Sequence, residues 1–461
     1  MTLDSYIAGL KGKRIAVVGL GVSNMPLLRT LLSAGCRVTA RDRRTEEAFG
    51  TEEAARLRAA GCALRLGPDY LEDLSEDVIF RTPGLHPFTP QLAEAKERGA
   101  VLTSEMEAFF AVCPCPIIAV TGSDGKTTTT TIISELLRAE GYTVHLGGNI
   151  GTPLLTKAGE MKSEDAAVLE LSSFQLHSME CRPHVAVITN VSPNHLDVHP
   201  SYEDYRTAKK QIFLGQGPED ILVLNADNAI TRAMSPEAKG EVRFFSRQEK
   251  PDNGCRFDGT SVWRVQNGRE TKILDASDIL LPGLHNVENY MAAFAATGGM
   301  VSDETCRKVA GSFRGVAHRL EMIRTLRGVT YCNDSIASSP TRTIAGLRAL
   351  KQKPILIAGG YDKHIPFDEL GGEICRRVRE LFLTGFTADK IAEAVKASPD
   401  YDPEKLKIHI IDDFRETVLA ASAAAEEGDL VLLSPACASF DKFKNFEERG
   451  NTFRRIVTEL E

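Results

Sequence analysis

Most of what marks a specialised protein is missing from this chain. Nowhere in its 461 residues is there a run of roughly 18 uninterrupted apolar residues, the length needed to cross a bilayer. The opening residues lack an apolar core followed by a small-residue cleavage site. A cytoplasmic protein without membrane insertion is expected. Basic residues are not in excess either. Lys and Arg number 55 against 63 Asp and Glu, a formal charge of −8, which argues against general binding to nucleic acid, because that rests on clustered cations. Any phosphate must therefore be held by a local site. Cysteine clusters are absent too. The ten cysteines are scattered, and only Cys113 and Cys115 lie close together. A lone Cys-Pro-Cys without a second cluster is a poor zinc signature, so reduced structural thiols are expected. No internal repeat or low-complexity stretch occurs.

What is present is an ordinary globular composition, 43% hydrophobic and 26% charged. Single cores stop growing near 250 to 300 residues, so three domains are expected. The run Ile15 to Val18, the turn Gly19-Leu20-Gly21 and a helical pattern through Leu27, Leu28, Leu31 and Leu32 read as strand, turn, helix. Further strands are expected at Cys36 to Ala40 and Asp77 to Phe80. Apolar runs recur at Pro116 to Val120, Ala166 to Leu171, His184 to Val191 and Ile221 to Leu224, with helical patterns at 126 to 140 and 285 to 298. Strands alternating with helices imply parallel βαβ units. Residues 239 to 278 read instead as short strands and hairpins. After Gly315 the alternation restarts. The fold class is α/β in three domains: a Rossmann-like domain at 1–104, a central mostly parallel P-loop NTPase-like domain at 105–315, and a Rossmann-like domain at 316–461.

The strongest motif is Ile117 to Val120, an apolar strand, running through Thr121-Gly122-Ser123-Asp124-Gly125-Lys126-Thr127-Thr128 into a helix. Glycines let backbone N–H groups converge on phosphate oxygens, the helix N-terminus adds partial positive charge and Lys126 a full one, while Thr127 offers a hydroxyl to Mg²⁺. A nucleoside triphosphate is the expected ligand. Asp124 is out of place there. Two like unit charges at 4 Å repel by about 4 kcal/mol at an effective dielectric of 20, so its side chain should point away or bond a backbone amide.

Four more segments follow in order. Glu170 ends an apolar strand within Leu169-Glu170-Leu171-Ser172-Ser173-Phe174-Gln175, where open parallel sheets place their ligands. Asn190-Val191-Ser192-Pro193-Asn194-His195-Leu196-Asp197 follows another strand, and Tyr205-Arg206-Thr207-Ala208-Lys209 lies on a predicted helix. Gly148-Asn149-Ile150-Gly151 is a glycine-rich turn. Singly, Glu170 could cap a loop, His195 could be structural and Lys209 a solvated helix residue.

Taken in order, these motifs resemble those of the Mur ligase family, whose phosphate loop has the same shortened T-G-x-x-G-K-T form. The resemblance spans essentially the whole chain. It implies an ATP-dependent ligase that forms an amide through an acyl phosphate. It places Gly122, Ser123, Asp124, Gly125, Lys126, Thr127 and Thr128 on the ATP phosphates. It gives Lys126, Glu170, His195 and Lys209 catalytic roles, with Thr127, Glu170, His195 and a carbamylated Lys209 as ligands or orienters of two Mg²⁺ ions. Asn194 stands where the family usually has Asp. The family also accounts for the first glycine turn better than an NAD fingerprint does, since Asn24 replaces the third glycine. By resemblance Val22, Ser23, Asp42, Arg43, Thr82, Pro83 and Gly84 surround the uridine part of a UDP-linked substrate, and Asn149 and Ser172 bind its muramoyl part.

Later motifs extend the match. Leu284-His285-Asn286 puts Asn286 at the adenine, and His318-Arg319-Leu320-Glu321 and Asn333-Asp334-Ser335 put Arg319 at the γ-phosphate and Asp334 at the ribose. Domain closure should complete this ATP site. The run Ser434-Pro435-Ala436-Cys437-Ala438-Ser439-Phe440-Asp441 with Phe446 is similar to that of the family member adding D-glutamate to UDP-N-acetylmuramoyl-L-alanine. Ser338, Lys363, Ser439, Phe440 and Phe446 would then meet the glutamate. Ile336 and Ser338 replace a lysine and a threonine of the family, so part of that pocket is satisfied differently. These small molecules are the implied partners of a monomer. Two readings compete: a sibling ligase or folate polyglutamylating enzyme, and a nucleotide-binding switch in which Glu170, His195 and Lys209 would be superfluous.

Overall fold

The computed structural model describes residues 1–192, 201–281, 283–362 and 365–461. The chain separates into two compact units, Met1–Ser312 and Phe313–Glu461. The first carries two sheets and the second one.

The N-terminal sheet comprises β1 (Arg14–Val18), β2 (Arg37–Asp42), β3 (Ala63–Leu66), β4 (Val78–Arg81) and β5 (Val101–Thr103), all parallel, in the order β3-β2-β1-β4-β5. Ile15, Ala16, Val17 and Val18 are fully buried, the continuous apolar run of a strand covered on both faces. The strand order reverses at β1 and β4, so the loops after them diverge and open a crevice. Gly19, at φ +81°, starts the first loop, and a Cβ there would collide with the methyl of Thr82 in the second.

The second sheet comprises β6 (Ile117–Thr121), β7 (Val144–Gly148), β8 (Ala166–Glu170), β9 (Val185–Ile188), β10 (Ile221–Asn225), β11 (Glu241–Ser246), β12 (Gly254–Phe257), β13 (Ser261–Gln266) and β14 (Arg269–Asp275). Its order is β14-β13-β12-β11-β10-β9-β6-β8-β7. Pairing is parallel from β7 to β12, and the last two strands turn back as antiparallel hairpins. That matches the short strands expected over residues 239 to 278. Because β6 lies between β8 and β9, the loops ending all three meet at one edge. The helix expected at 126 to 140 is Lys126–Glu140, with Ile132, Ile133, Leu136 and Leu137 buried. Strand β9 ends at Ile188, short of the expected Val191. The next residues leave the sheet for the phosphate loop: the Thr189 hydroxyl donates to Asp124 O at 2.6 Å, and Asn190 O accepts from the Ser123 N–H at 2.9 Å.

The second unit holds β15 (Glu321–Leu326), β16 (Val329–Asn333), β17 (Ile355–Ala358), β18 (Glu380–Leu383), β19 (Lys407–Ile410) and β20 (Leu430–Leu433), in the order β15-β16-β20-β17-β18-β19. Only the β15–β16 pair is antiparallel. No helix among the described residues is long and apolar enough to cross a membrane.

Candidate active site

The phosphate loop is built from backbone, and its neighbours hold it. Gly122 (φ +148°) and Gly125 (φ +78°) take conformations L-residues avoid. A Cβ at the first would strike the Thr189 hydroxyl and at the second the Asn289 carboxamide. Asn190 braces the loop from both sides. Its Oδ1 accepts from the Asp124 N–H at 3.0 Å, and its Nδ2 donates to Asp124 O at 3.2 Å. The Ser123 hydroxyl, the expected phosphate contact, lies 3.0 Å from the Tyr205 hydroxyl and accepts from Ser192 N–H. Asp124 itself is exposed. Lys126 Nζ folds back on its own loop, donating to Gly122 O at 3.0 Å and Ser123 O at 2.9 Å. Thr127 and Thr128 occupy the first turn of the helix.

Glu170, at the end of β8, is 1% exposed. Its Oε1 accepts from Asn149 Nδ2 at 2.7 Å, and its backbone O accepts from Asn149 N–H at 2.8 Å. Its Oε2 is buried with no hydrogen-bond partner. A buried carboxylate oxygen left without a donor is costly, and it fits a hard cation, which takes oxygen ligands. Ser172 begins the short helix Ser173–Leu176 in a reciprocal capping box with Gln175.

Lys209 is 1% exposed in the helix Tyr202–Leu214. Its Nζ donates to Gly122 O at 2.7 Å and sits 4.6 Å from the centre of the Tyr205 ring. Burial, and then the charge of Lys126, push this amine well below its ordinary value, against the pull of Asp124 and Glu170. Lys126, Asp124, Glu170 and Lys209 therefore share one electrostatic environment. A buried amine so shifted gives up its proton more easily than a solvated lysine does. His195, with Asn194 and Asp197, lies outside the described residues. Among those described, no cluster of three or more His, Cys, Asp or Glu could hold a metal. Among the described residues, the oxygen groups at this point are the Glu170 carboxylate and the Thr127 hydroxyl.

At the first crevice Val22 is 81% exposed, Ser23 precedes the helix Asn24–Ser33, and Arg43 and Gly84 are exposed, while Thr82 and Pro83 are half-buried. Asp42 is engaged within the fold. Its Oδ2 accepts from Leu20 N–H at 2.7 Å, and both oxygens accept from Arg44. Burial alone would raise this carboxyl, but the Arg44 and backbone donors outweigh it and hold the group below its usual range. Asp42 shapes the turn beside the crevice.

In the second unit, Asp334 and Arg319 line one cavity of about 200 Å³ with Leu320, Ile336 and Arg342. Asp334 accepts from the Ser434 hydroxyl at 2.8 Å and from Leu320 N–H at 3.2 Å, and burial pushes its carboxyl up to about 6. Asn286, in the first unit, opens the helix Leu284–Ala296 and accepts from Asn289 Nδ2 at 3.2 Å.

Two residues outside the expected site set gather the loops after β16, β17 and β20. Arg449, 2% exposed, donates to the Ser335 hydroxyl and carbonyl and to the carbonyls of Cys437 and Ala438, all within 3.1 Å. Burial lowers its guanidinium to about 10. Thr387, fully buried, donates to Gly360 O and accepts from Gly360 N–H, both at 3.1 Å, and its hydroxyl touches Cys437 Sγ at 3.1 Å. The loops so fastened carry Ser338, buried Ser439 and exposed Phe440, while half-buried Phe446 accepts at its carbonyl from the Ser335 hydroxyl. Lys363 lies outside the described residues.

The Mur ligase middle domain matches residues 120–297, and the Mur ligase glutamate ligase domain matches residues 318–437. UDP-N-acetylmuramoylalanine–D-glutamate ligase of Ruminiclostridium cellulolyticum is 50% identical over 462 aligned residues, covering 99% of each chain. The enzyme of that name from Acetivibrio thermocellus is also 50% identical, covering all of this chain and 99% of its own. Among solved structures, UDP-N-acetylmuramate-alanine ligase of Thermotoga maritima superposes with a TM-score of 0.56 at 18% identity, over 97% of this chain and 99% of that one. That likeness supports the three-sheet α/β fold.

Proposed function

This chain belongs to the Mur ligase family, and from that premise we propose that it joins D-glutamate to UDP-N-acetylmuramoyl-L-alanine at the expense of ATP. The observation that carries the reading is the meeting of a phosphate loop with a buried carboxylate that has an uncommitted oxygen and a buried lysine of depressed basicity. A nucleotide switch needs only the first. The alignment with enzymes named for the D-glutamate addition, across the full chain, favours that amino acid over those of sibling ligases.

In the proposed reaction the alanyl carboxylate attacks the γ-phosphorus of ATP, ADP leaves, and the glutamate amine displaces phosphate from the acyl phosphate through a tetrahedral intermediate. The N–H groups and Lys126 of the phosphate loop stabilise the transferring phosphoryl charge. Mg²⁺ held by Thr127 and Glu170, with His195 and carbamylated Lys209 serving a second ion, would neutralise charge on the phosphoryl oxygens. Asn149 fixes the Glu170 carboxylate and, with Ser172, faces the muramoyl group. The uridine lies in the crevice beside Val22, Ser23, Asp42, Arg43 and the loop Thr82-Pro83-Gly84. Arg319, Asp334 and Asn286 take the nucleotide roles that the resemblance gives them. Ser338, Lys363, Ser439, Phe440 and Phe446 receive the glutamate. Domain boundaries near 104 and 315, a monomeric state and a cytoplasmic location belong to the same proposal.

Hydroxylamine supplied without D-glutamate is expected to trap a hydroxamate of the nucleotide substrate, only when ATP and Mg²⁺ are present. Failure to trap it under otherwise active conditions would overturn the acyl-phosphate order. ATP-dependent phosphate release with a panel of amino acids tests the choice of D-glutamate directly.

The glutamate site makes a second demand. Thr387→Val removes the hydroxyl that accepts from the Gly360 N–H, leaving that buried donor unpaired at about 1–3 kcal/mol, while Gly360 O keeps the Thr387 backbone N–H. The KM for D-glutamate is expected to rise about tenfold or more, a change of about 1.4 kcal/mol, with the KM for ATP unchanged and Thr387→Ser near normal. Equal shifts in both KM values would misplace the pocket.

A further inference from the structure

Cys113 and Cys115 have no part in the proposed reaction, yet their sulfurs lie 3.5 Å apart, at van der Waals contact. Cys113 ends the helix Glu105–Val112, its N–H donating to Phe109 O at 2.9 Å. Pro114 is exposed, and after Cys115 the chain passes through Pro116, whose carbonyl accepts from Ala167 N–H, into β6 and the phosphate loop. Of the ten cysteines, Cys113 and Cys375 are half-buried and the other eight are buried. The Cys375 thiol is directed at the Val395 carbonyl. Cys113 faces a second thiol, that of the buried Cys115. An accessible thiol backed by a buried one is the arrangement of a redox-responsive pair.

The geometry points to Cys113 and Cys115 as a reversible dithiol–disulfide couple, a modification site for hydroperoxides on the segment that feeds the nucleotide-binding strand. Cys113 is the attacking sulfur because it is the accessible one of the pair, and the contact between the two sulfurs lowers the Cys113 pKa and raises that of Cys115. The Cys113 thiolate attacks one peroxide oxygen. The S–O bond forms, the O–O bond breaks, and hydroxide leaves to become water. Cys115 then loses its proton and attacks the sulfenic sulfur, forming the S–S bond and releasing the second oxygen as water. Two thiols are oxidised and one peroxide is reduced to two waters. The sulfurs need to approach by about 1.5 Å to reach the disulfide length of about 2.05 Å, a movement open to the exposed Pro114 but not to β6, buried along its whole length. Ring closure removes the sulfenic acid before it can pass to the irreversible sulfinic acid, so the partner thiol protects the entry to the phosphate loop.

The test treats the full-length enzyme with limiting hydrogen peroxide and maps its peptides by mass spectrometry. The peptide spanning Cys113 and Cys115 is expected to lose two hydrogens and to regain them with dithiothreitol. In Cys115→Ser the same treatment should instead build up sulfinic acid at Cys113, which dithiothreitol does not reverse, while Cys113→Ser should leave Cys115 unoxidised. Because the wild-type mapping needs no variant, it decides the matter even if a variant folds poorly. Oxidation first at Cys375, or over-oxidation of wild-type Cys113 without a disulfide, overturns the proposal.

Discussion

Lys209→Arg is expected to be as inactive as Lys209→Ala, each losing at least two orders of magnitude in turnover, although arginine keeps the charge and length that a solvated helix lysine would need. The expectation follows from where the side chain sits. It is 1% exposed, its amine donates to Gly122 O, and burial with the nearby Lys126 lowers its basicity. A positive group there opposes any cation drawn to the free oxygen of Glu170. A carbamate reverses the sign and offers the anionic oxygens Mg²⁺ prefers. A guanidinium stays charged in any protein environment and cannot take up carbon dioxide. Steady-state phosphate release measures the loss, and density beyond Nζ in crystals grown in air reports the carbamate. An active Lys209→Arg enzyme would refute this role.

Lys126→Ala should likewise cut turnover by two or more orders of magnitude, about 2.7 kcal/mol or more of transition-state stabilisation, with thermal unfolding little changed. In the structure its ammonium is held by the carbonyls of its own loop, Gly122 and Ser123. A charge kept at the loop without reorganisation acts most strongly when phosphoryl charge develops. The fold should survive, because Gly122, Gly125, Asn190 and Thr189 shape the loop through contacts independent of this side chain. Near-normal turnover would remove the phosphate-loop assignment.

Much of this was legible in the residues because the signals were local. Strand β6, the loop and the helix Lys126–Glu140 follow one another without interruption, and glycines at left-handed positions mark the turn. Strand order was not legible. Nothing in the sequence of β8 says that it enters between β6 and β7, yet that insertion brings Glu170 beside the phosphate loop. Long-range pairings were equally silent. Asn149 looked like a substrate contact, and its clasp on Glu170, 21 residues away, appears only once the sheet is formed. Arg449 and Thr387 sat in ordinary amphipathic surroundings, and their roles come from carbonyls up to 114 residues distant. Expected strand ends overran where side chains left the ladder for the site, as at Thr189 and Asn190.

The crowding around the two loop glycines also bears on how this chain can change under selection. At Gly122 a single added methyl meets the Thr189 hydroxyl, and at Gly125 it meets the Asn289 carboxamide, while both backbones stay in a region that L-residues rarely enter. An inhibitor anchored on the amides of that loop would therefore contact positions with no tolerated alternative. Resistance would have to arise instead at exposed residues, such as Val22, where a new side chain has room.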